Sequence, residues 1–259
     1  MNELRVSVAT YNRVLFPHLE NGTMMLALER KATVLEDGRI NVRAQPFGGG
    51  VRILGLKPLK EMLGEVQFDS ERSKHEQDFR ILIPPSKWET VKKYCLFHLE
   101  IPDDPELESM PDRELVEEFE ETIRVGLQSD QYTVQPVGFV IEDGPVWTDN
   151  WYALGHLTVR VYRVFDVYIT DVELCKKMIA ASQKYSDDEF GKLALEDARN
   201  GRNGRANTVL TLPLDVVKES YVALPPEKRY AKIMVDDHKL DESVLVVLMD
   251  VDVPQYQRM

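Results

Sequence analysis

Residues 112–127 read Asp112-Arg113-Glu114-Leu115-Val116-Glu117-Glu118-Phe119-Glu120-Glu121-Thr122-Ile123-Arg124-Val125-Gly126-Leu127, and two patterns share the stretch. At helical spacing Leu115, Phe119, Ile123 and Leu127 fall one above another with Val116 beside them, a stripe that needs a core to cover it. Glu114, Glu117, Glu118 and Glu121 stand at i, i+3, i+4 and i+7, so carboxylates crowd a neighbouring face. Like charges at that spacing repel by about 0.2–0.5 kcal/mol per pair. A divalent cation reverses the sign, because hard cations are held by carboxylate oxygens. Arg113, and Glu120 placed four residues before Arg124, offer neutralisation without a metal. On this pattern a solvated acidic face and a cation site both stand open.

Upstream lies Gln45-Pro46-Phe47-Gly48-Gly49-Gly50-Val51. Consecutive glycines lose backbone entropy on folding, so they belong where the chain turns sharply or another group approaches closely. A glycine corner followed by R-E-L-V-E-E resembles the Nudix hydrolases. Their signature joins a glycine-rich strand end to a helix carrying R-E-U-x-E-E, with U a bulky aliphatic residue. Arg113, Glu114, Leu115, Glu117 and Glu118 match it residue by residue, and Gly48 to Val51 resembles the corner. The chain also departs from that pattern. Residues 52–111 separate the two halves, no glutamate stands at the expected place between them, and Glu120 and Glu121 replace a glycine and an aliphatic residue.

The resemblance implies an α/β fold: a Nudix-like mixed β-sheet sandwiched between helices. Here it would be one enlarged domain over residues 1–259, with 52–111 inserted and extra helices towards the C-terminus. It implies hydrolysis of a pyrophosphate bond in a nucleoside diphosphate-linked compound, with magnesium or manganese as cofactor. Glu114, Glu117 and Glu118 would hold metal or act as base, the Gly48 carbonyl would complete the coordination, and Arg113 would orient a glutamate. A further acidic ligand is expected from a later loop, with Glu142, Asp143 and Glu189 as equal candidates. The alternative is a Nudix-like fold that has lost catalysis and serves as a nucleotide-binding or protein-interaction module.

Composition bounds the other classes. The 259 residues are 43% apolar and 29% charged, enough for a substantial core. A net charge of -12 argues against nucleic acid or acidic membranes as partners; the partner that the resemblance implies is a nucleotide-like small molecule. Cys95 and Cys175 lie far apart without a C-x-x-C neighbour, which reads as two reduced, buried thiols. No apolar run approaches membrane-spanning length and no signal segment opens the chain, so a cytoplasmic location is expected. Walker A, zincin, hydrolase-elbow and Rossmann motifs are absent from the sequence.

Leu4–Tyr11, Thr23–Arg30 and Arg39–Gln45 read as strands, with Asn21-Gly22 and Asp37-Gly38 as turns between them. Phe68–Lys74 reads as an exposed loop, Gln77–Ile83 as a strand, and Ser86 with Glu89 as a capping box. Tyr132–Ile141 alternates before a turn at Glu142-Asp143-Gly144-Pro145, and His156–Thr170 carries the clearest strand signal. Asp171 and Ser186 cap two helices, Pro213 opens another, and Val244–Val251 reads as a short buried strand. Trp151, in an aromatic loop, is a candidate for stacking on a base, and Arg202 and Arg205, in a glycine-rich basic loop, for holding phosphate. Arg160 is a weaker candidate for a phosphate contact.

Overall fold

The computed structural model of the chain describes residues 3–108, 110–147 and 155–259. Its elements begin with β1 (Leu4–Pro17), β2 (Met24–Val34), β3 (Ile40–Gln45), β4 (Phe47–Gly50) and β5 (Arg52–Ile53). The segment before the acidic helix adds α1 (Lys57–Leu63), β6 (Gln67–Phe68), α2 (Glu71–Glu76), β7 (Arg80–Ile83), α3 (Trp88–Glu100) and β8 (Leu107–Glu108). Next come α4 (Asp112–Ile123), β9 (Tyr132–Trp147), β10 (Leu157–Ile169), α5 (Val172–Gln183) and α6 (Asp187–Arg199). Last are β11 (Arg205–Pro213), α7 (Leu214–Val222), β12 (Ile233–Val235), β13 (His238–Leu240), α8 (Val244–Val247) and β14 (Gln257–Arg258).

β1 and β10 form the spine, paired in parallel from Leu4–Leu157 to Leu15–Tyr168. The other edge of β1 is shared along its length. β7 takes Leu4–Ser7, β4 takes Ala9–Asn12, and β2 takes Val14–Pro17, all antiparallel. That division curls the mixed sheet, whose main path runs β12-β13-β3-β2-β1-β10-β9-β14. β11 extends it on β2, from Arg205–Thr33 to Pro213–Met25.

Alternation along β1 assigns the faces. Leu4, Val6 and Val8 pack with Trp88, Val91, Cys95 and Leu99 of α3, and Val14 and Phe16 with Leu115 and Phe119 of α4 and Leu174 and Met178 of α5. Leu15, on the opposite side, joins the cluster of Val217 and Tyr221 from α7 and Val244 and Leu245 from α8. The spine is thus covered on both faces, which is why β10 reads as a nearly continuous apolar run. Among the described residues no helix is long and apolar enough to cross a membrane.

Several local expectations are corrected. Residues 52–111 are built into the sheet: β7 pairs with β1, and Phe79, Ile81 and Ile83 are buried beside Val6 and Val8. Val244–Val247 is a helical turn and not a strand, although all of it is buried. A short apolar run does not choose between the two geometries. Ser86 lies inside the 3-10 turn Pro85–Lys87, and α3 starts at Trp88 with no side-chain cap. Part of Phe68–Lys74 is helical, because Ser70 Oγ accepts from Ser73 N–H and starts α2. β9 continues through Glu142–Pro145 to Trp147. The caps at Asp171 and Ser186 form as expected, the second as a full capping box.

Arg30 illustrates how a charge is tolerated inside. It is 1% exposed, donates Nη1 to the Tyr185 carbonyl at 2.9 Å, pairs Nη2 with Asp187, and lies 4.8 Å over the Phe190 ring. Asp187→Ala leaves that guanidinium without its counter-charge. The expected loss is about 2–3 kcal/mol in urea unfolding, below the fully buried range because Asp187 keeps some solvent contact.

Candidate functional site at the glycine corner

α4 carries Asp112 and Glu114 in its first turn, where the helix dipole favours negative charge. It stops at Arg124, which adopts a left-handed conformation with φ 56 and donates its N–H to the Glu120 carbonyl. Leu115 and Phe119 are buried, and the Phe119 ring lies 5.0 Å from that of Phe47. Phe47 immediately precedes the three glycines, so this aromatic contact holds β4 against α4.

The glycines then admit carboxylates one by one. Gly48, Gly49 and Gly50 pair with Tyr11, Thr10 and Ala9 of β1. Gly48 N–H donates to Glu118 Oε2 at 2.6 Å. A Cβ on Gly49 would stand 2.7 Å from Glu114 Oε2, and one on Gly50 would stand 2.9 Å from Asp78 Oδ1. Any larger residue in β4 would push these side chains away.

Residues of β2 and β3 complete the cluster. Glu29 of β2 is 0% exposed; Lys31 Nζ lies 2.6 Å from its Oε2, and Gln45 Nε2 donates to the same oxygen at 3.2 Å. Glu29 Oε1 is buried without a hydrogen-bond partner. Burial pushes the Glu118 carboxyl well above the usual carboxylate range and neighbouring Glu29 adds to it, while Lys31 and the Gly48 N–H pull the other way. Burial also raises Glu29, opposed chiefly by Lys31. Glu114 and Asp78 are raised for the same reason, with Arg113 and Arg80 opposing respectively.

Arg113 lies among three glutamates. Its Nη2 lies 2.5 Å from Glu114 Oε1, Nη1 donates to Glu117 Oε2 at 3.1 Å, and Nε donates to Glu108 at 3.2 Å. Glu117 is thereby held on the outer, half-exposed side of α4 and does not join the cluster. Gly48 meets the helix through its N–H and not through the carbonyl expected as a ligand. The anticipated later acids are spent elsewhere. Glu142 pairs with Arg160 at 2.5 Å, which also occupies that arginine. Asp143 accepts from Trp88 Nε1 and Lys92, and Glu189 closes the α6 capping box. Glu29 and Asp78 stand where those were sought. Their signal was faint: Glu29-Arg30 is a pair of charges in an otherwise apolar strand.

Arg202 is 70% exposed on its side chain and pairs with Asp197 at 3.3 Å. Arg205 opens β11 and lies near the last turn of α4, away from Glu114. Trp151 lies outside the described residues.

Among the described residues no group of three or more His, Cys, Asp or Glu side chains is disposed to hold a metal ion as it stands. The donor chemistry of Glu29, Glu114 and Glu118 nevertheless fits a hard divalent cation, and the orphaned Glu29 Oε1 is an acceptor such an ion would satisfy. At present Glu114 Oε1 is paired with Arg113 and Glu118 Oε2 accepts from Gly48. Compared with protein-family models, curated proteins and solved structures, the chain finds no match in any of the three.

Proposed function

We propose that the chain is a divergent Nudix-type hydrolase that cleaves a pyrophosphate bond in a nucleoside diphosphate-linked compound, with magnesium or manganese taken up at the glycine corner. The observation that carries this reading is the Gly48–Glu118 hydrogen bond, which brings the two halves of the split signature together across 70 positions. When bound, the cation would neutralise phosphate oxygens and lower the pKa of an attacking water. Glu118 and Glu29 would hold it, and Glu114, positioned by Arg113, would accept the proton of that water. Arg163 is the phosphate anchor on the same sheet face. Its register runs Gly49–Thr10–Arg163, two strands across or about 10 Å, and its guanidinium lies 4.5 Å over Phe139 with no carboxylate in ion-pair contact among the described residues.

The test is release of nucleoside monophosphate or inorganic phosphate over a panel of dinucleotides and nucleotide sugars with magnesium. Turnover by the native chain and a loss of about 100-fold or more in Glu118→Gln is the expected result. Silence of the native chain across the panel, with magnesium leaving its melting temperature unmoved, overturns hydrolysis. The present pairing of Glu114 with Arg113 and Glu118 with Gly48 favours a second reading, a binding module without turnover. Nucleotide binding without product release would establish that one.

A further inference from the structure

A cavity of about 790 Å³ opens at the outer edge of β11, between the last turns of α4 and α5 and the start of α6. In a chain of net charge -12, its walls carry Arg124, Lys177, Lys184 and Arg205. Among the described residues none of the four has a carboxylate within ion-pair distance, whereas Arg5, Arg13, Arg30, Arg113 and Arg160 all do. Glu121 is the acid on this wall, and its Oε2 accepts from Asn207 Nδ2 at 3.5 Å.

The helix ends account for part of this gathering. Arg124 and Lys184 follow the C-termini of α4 and α5, where the dipole favours cations. Lys177 in mid-helix and Arg205 on the strand have no such reason to be there. The strand edge adds a neutral donor. Thr211 N–H points away from β2, since it donates to Ser182 Oγ at 2.9 Å, so by alternation Asn207 N–H also faces outward at the cavity. Tyr185, with Lys184 Nζ 5.0 Å over its ring, supplies an aromatic wall. Cations and a backbone N–H around an aromatic side chain suit a planar ligand that carries phosphate, and the volume lies in the range of small-ligand pockets.

We propose that this cavity binds a phosphorylated, nucleotide-sized ligand at a site separate from the glycine corner. Arg205 and Lys177 hold its phosphates and Tyr185 packs against its base or sugar. The assignment does not rest on hydrolysis, and the probe is ADP added to the full chain in EDTA, so that failure of the metal-dependent reading leaves the test intact. Calorimetry should register binding that weakens at least tenfold in Arg205→Ala/Lys177→Glu, two exposed positions whose change should leave the melting temperature within a few degrees of the native value. It should also weaken as salt rises, and the Asn207 amide resonance should move on titration. Absence of binding at millimolar ADP, affinity unchanged in the double variant, or an unmoved Asn207 resonance would each overturn the proposal.

Discussion

Gly48→Ala is expected to lower unfolding stability by about 3 kcal/mol or more, enough to leave much of the protein unfolded at physiological temperature. Gly48 sits at φ +132, a region that L side chains rarely adopt, and an added Cβ would overlap the Thr10 carbonyl oxygen of β1. That oxygen belongs to the central strand of the sheet and has no room to retreat, because β1 is paired with β10 along its length. Two companion substitutions isolate the cause. Gly22→Ala meets the same kind of backbone strain, at φ +71, with nothing within 4 Å, and should lose only about 1 kcal/mol. Gly49→Ala meets only the end of the Glu114 side chain, which can rotate away. It should stay folded while losing the carboxylate position that the proposed chemistry needs. Urea unfolding of the three variants orders them. Equal losses at Gly48 and Gly22 would show that strain alone, and not the clash with β1, governs the corner.

Glu118→Gln should remove metal-dependent turnover and yet make the metal-free protein more stable at neutral pH. Gln keeps an oxygen to accept the Gly48 N–H, but removes a carboxylate that is buried against Glu29. The sign follows from proton linkage. Burial and then Glu29 raise the folded-state pKa above the unfolded one, so the native state holds its proton more tightly than the unfolded chain does. The contribution of Glu118 to stability is therefore greatest below the ordinary carboxylate range and falls as pH rises from there through the raised value. In EDTA the native chain should lose stability relative to Glu118→Gln over that window, with a gap on the order of 1 kcal/mol in favour of the variant at pH 7. Magnesium, by binding the ionised carboxylates, should close the gap for the native chain and leave the variant unmoved. A gap that shifts in favour of the native chain as pH rises over this window would mean that Lys31 and the Gly48 N–H outweigh burial, and Glu118 would then be a structural acceptor.

Opposing trends in stability and turnover at one residue would mark a functional site that stores unfavourable electrostatics. The same argument explains why the acidic helix tolerates its crowding. Glu117 and Glu114 share Arg113, Glu118 is buried where it accepts the Gly48 N–H, and Glu121 lines the basic cavity. One periodic run of glutamates thus meets three different environments.

Local pattern was enough for much of the chain. The helices opened by Asp171 and Ser186, the long strand before Thr170, the turns at Gly22 and Gly38, and the burial of Leu115 and Phe119 all follow from caps, alternation and spacing within a few residues. The expectation that Gly48–Gly50 and the R-E-L-V-E-E run belong together rested instead on their resemblance to the two halves of the Nudix signature, because the sequence places residues 52–111 between them. What tertiary structure alone decided is which atoms meet. Glu29 arrives at the corner from β2 and Asp78 from the bridge to Arg52 just before β7, while Glu142, Asp143 and Glu189 turn to Arg160, Lys92 and Ser186. A carboxylate's partner is set by strand register across β1, where β7, β4 and β2 share one edge, and register is a property of pairing between distant segments that no short window of sequence contains.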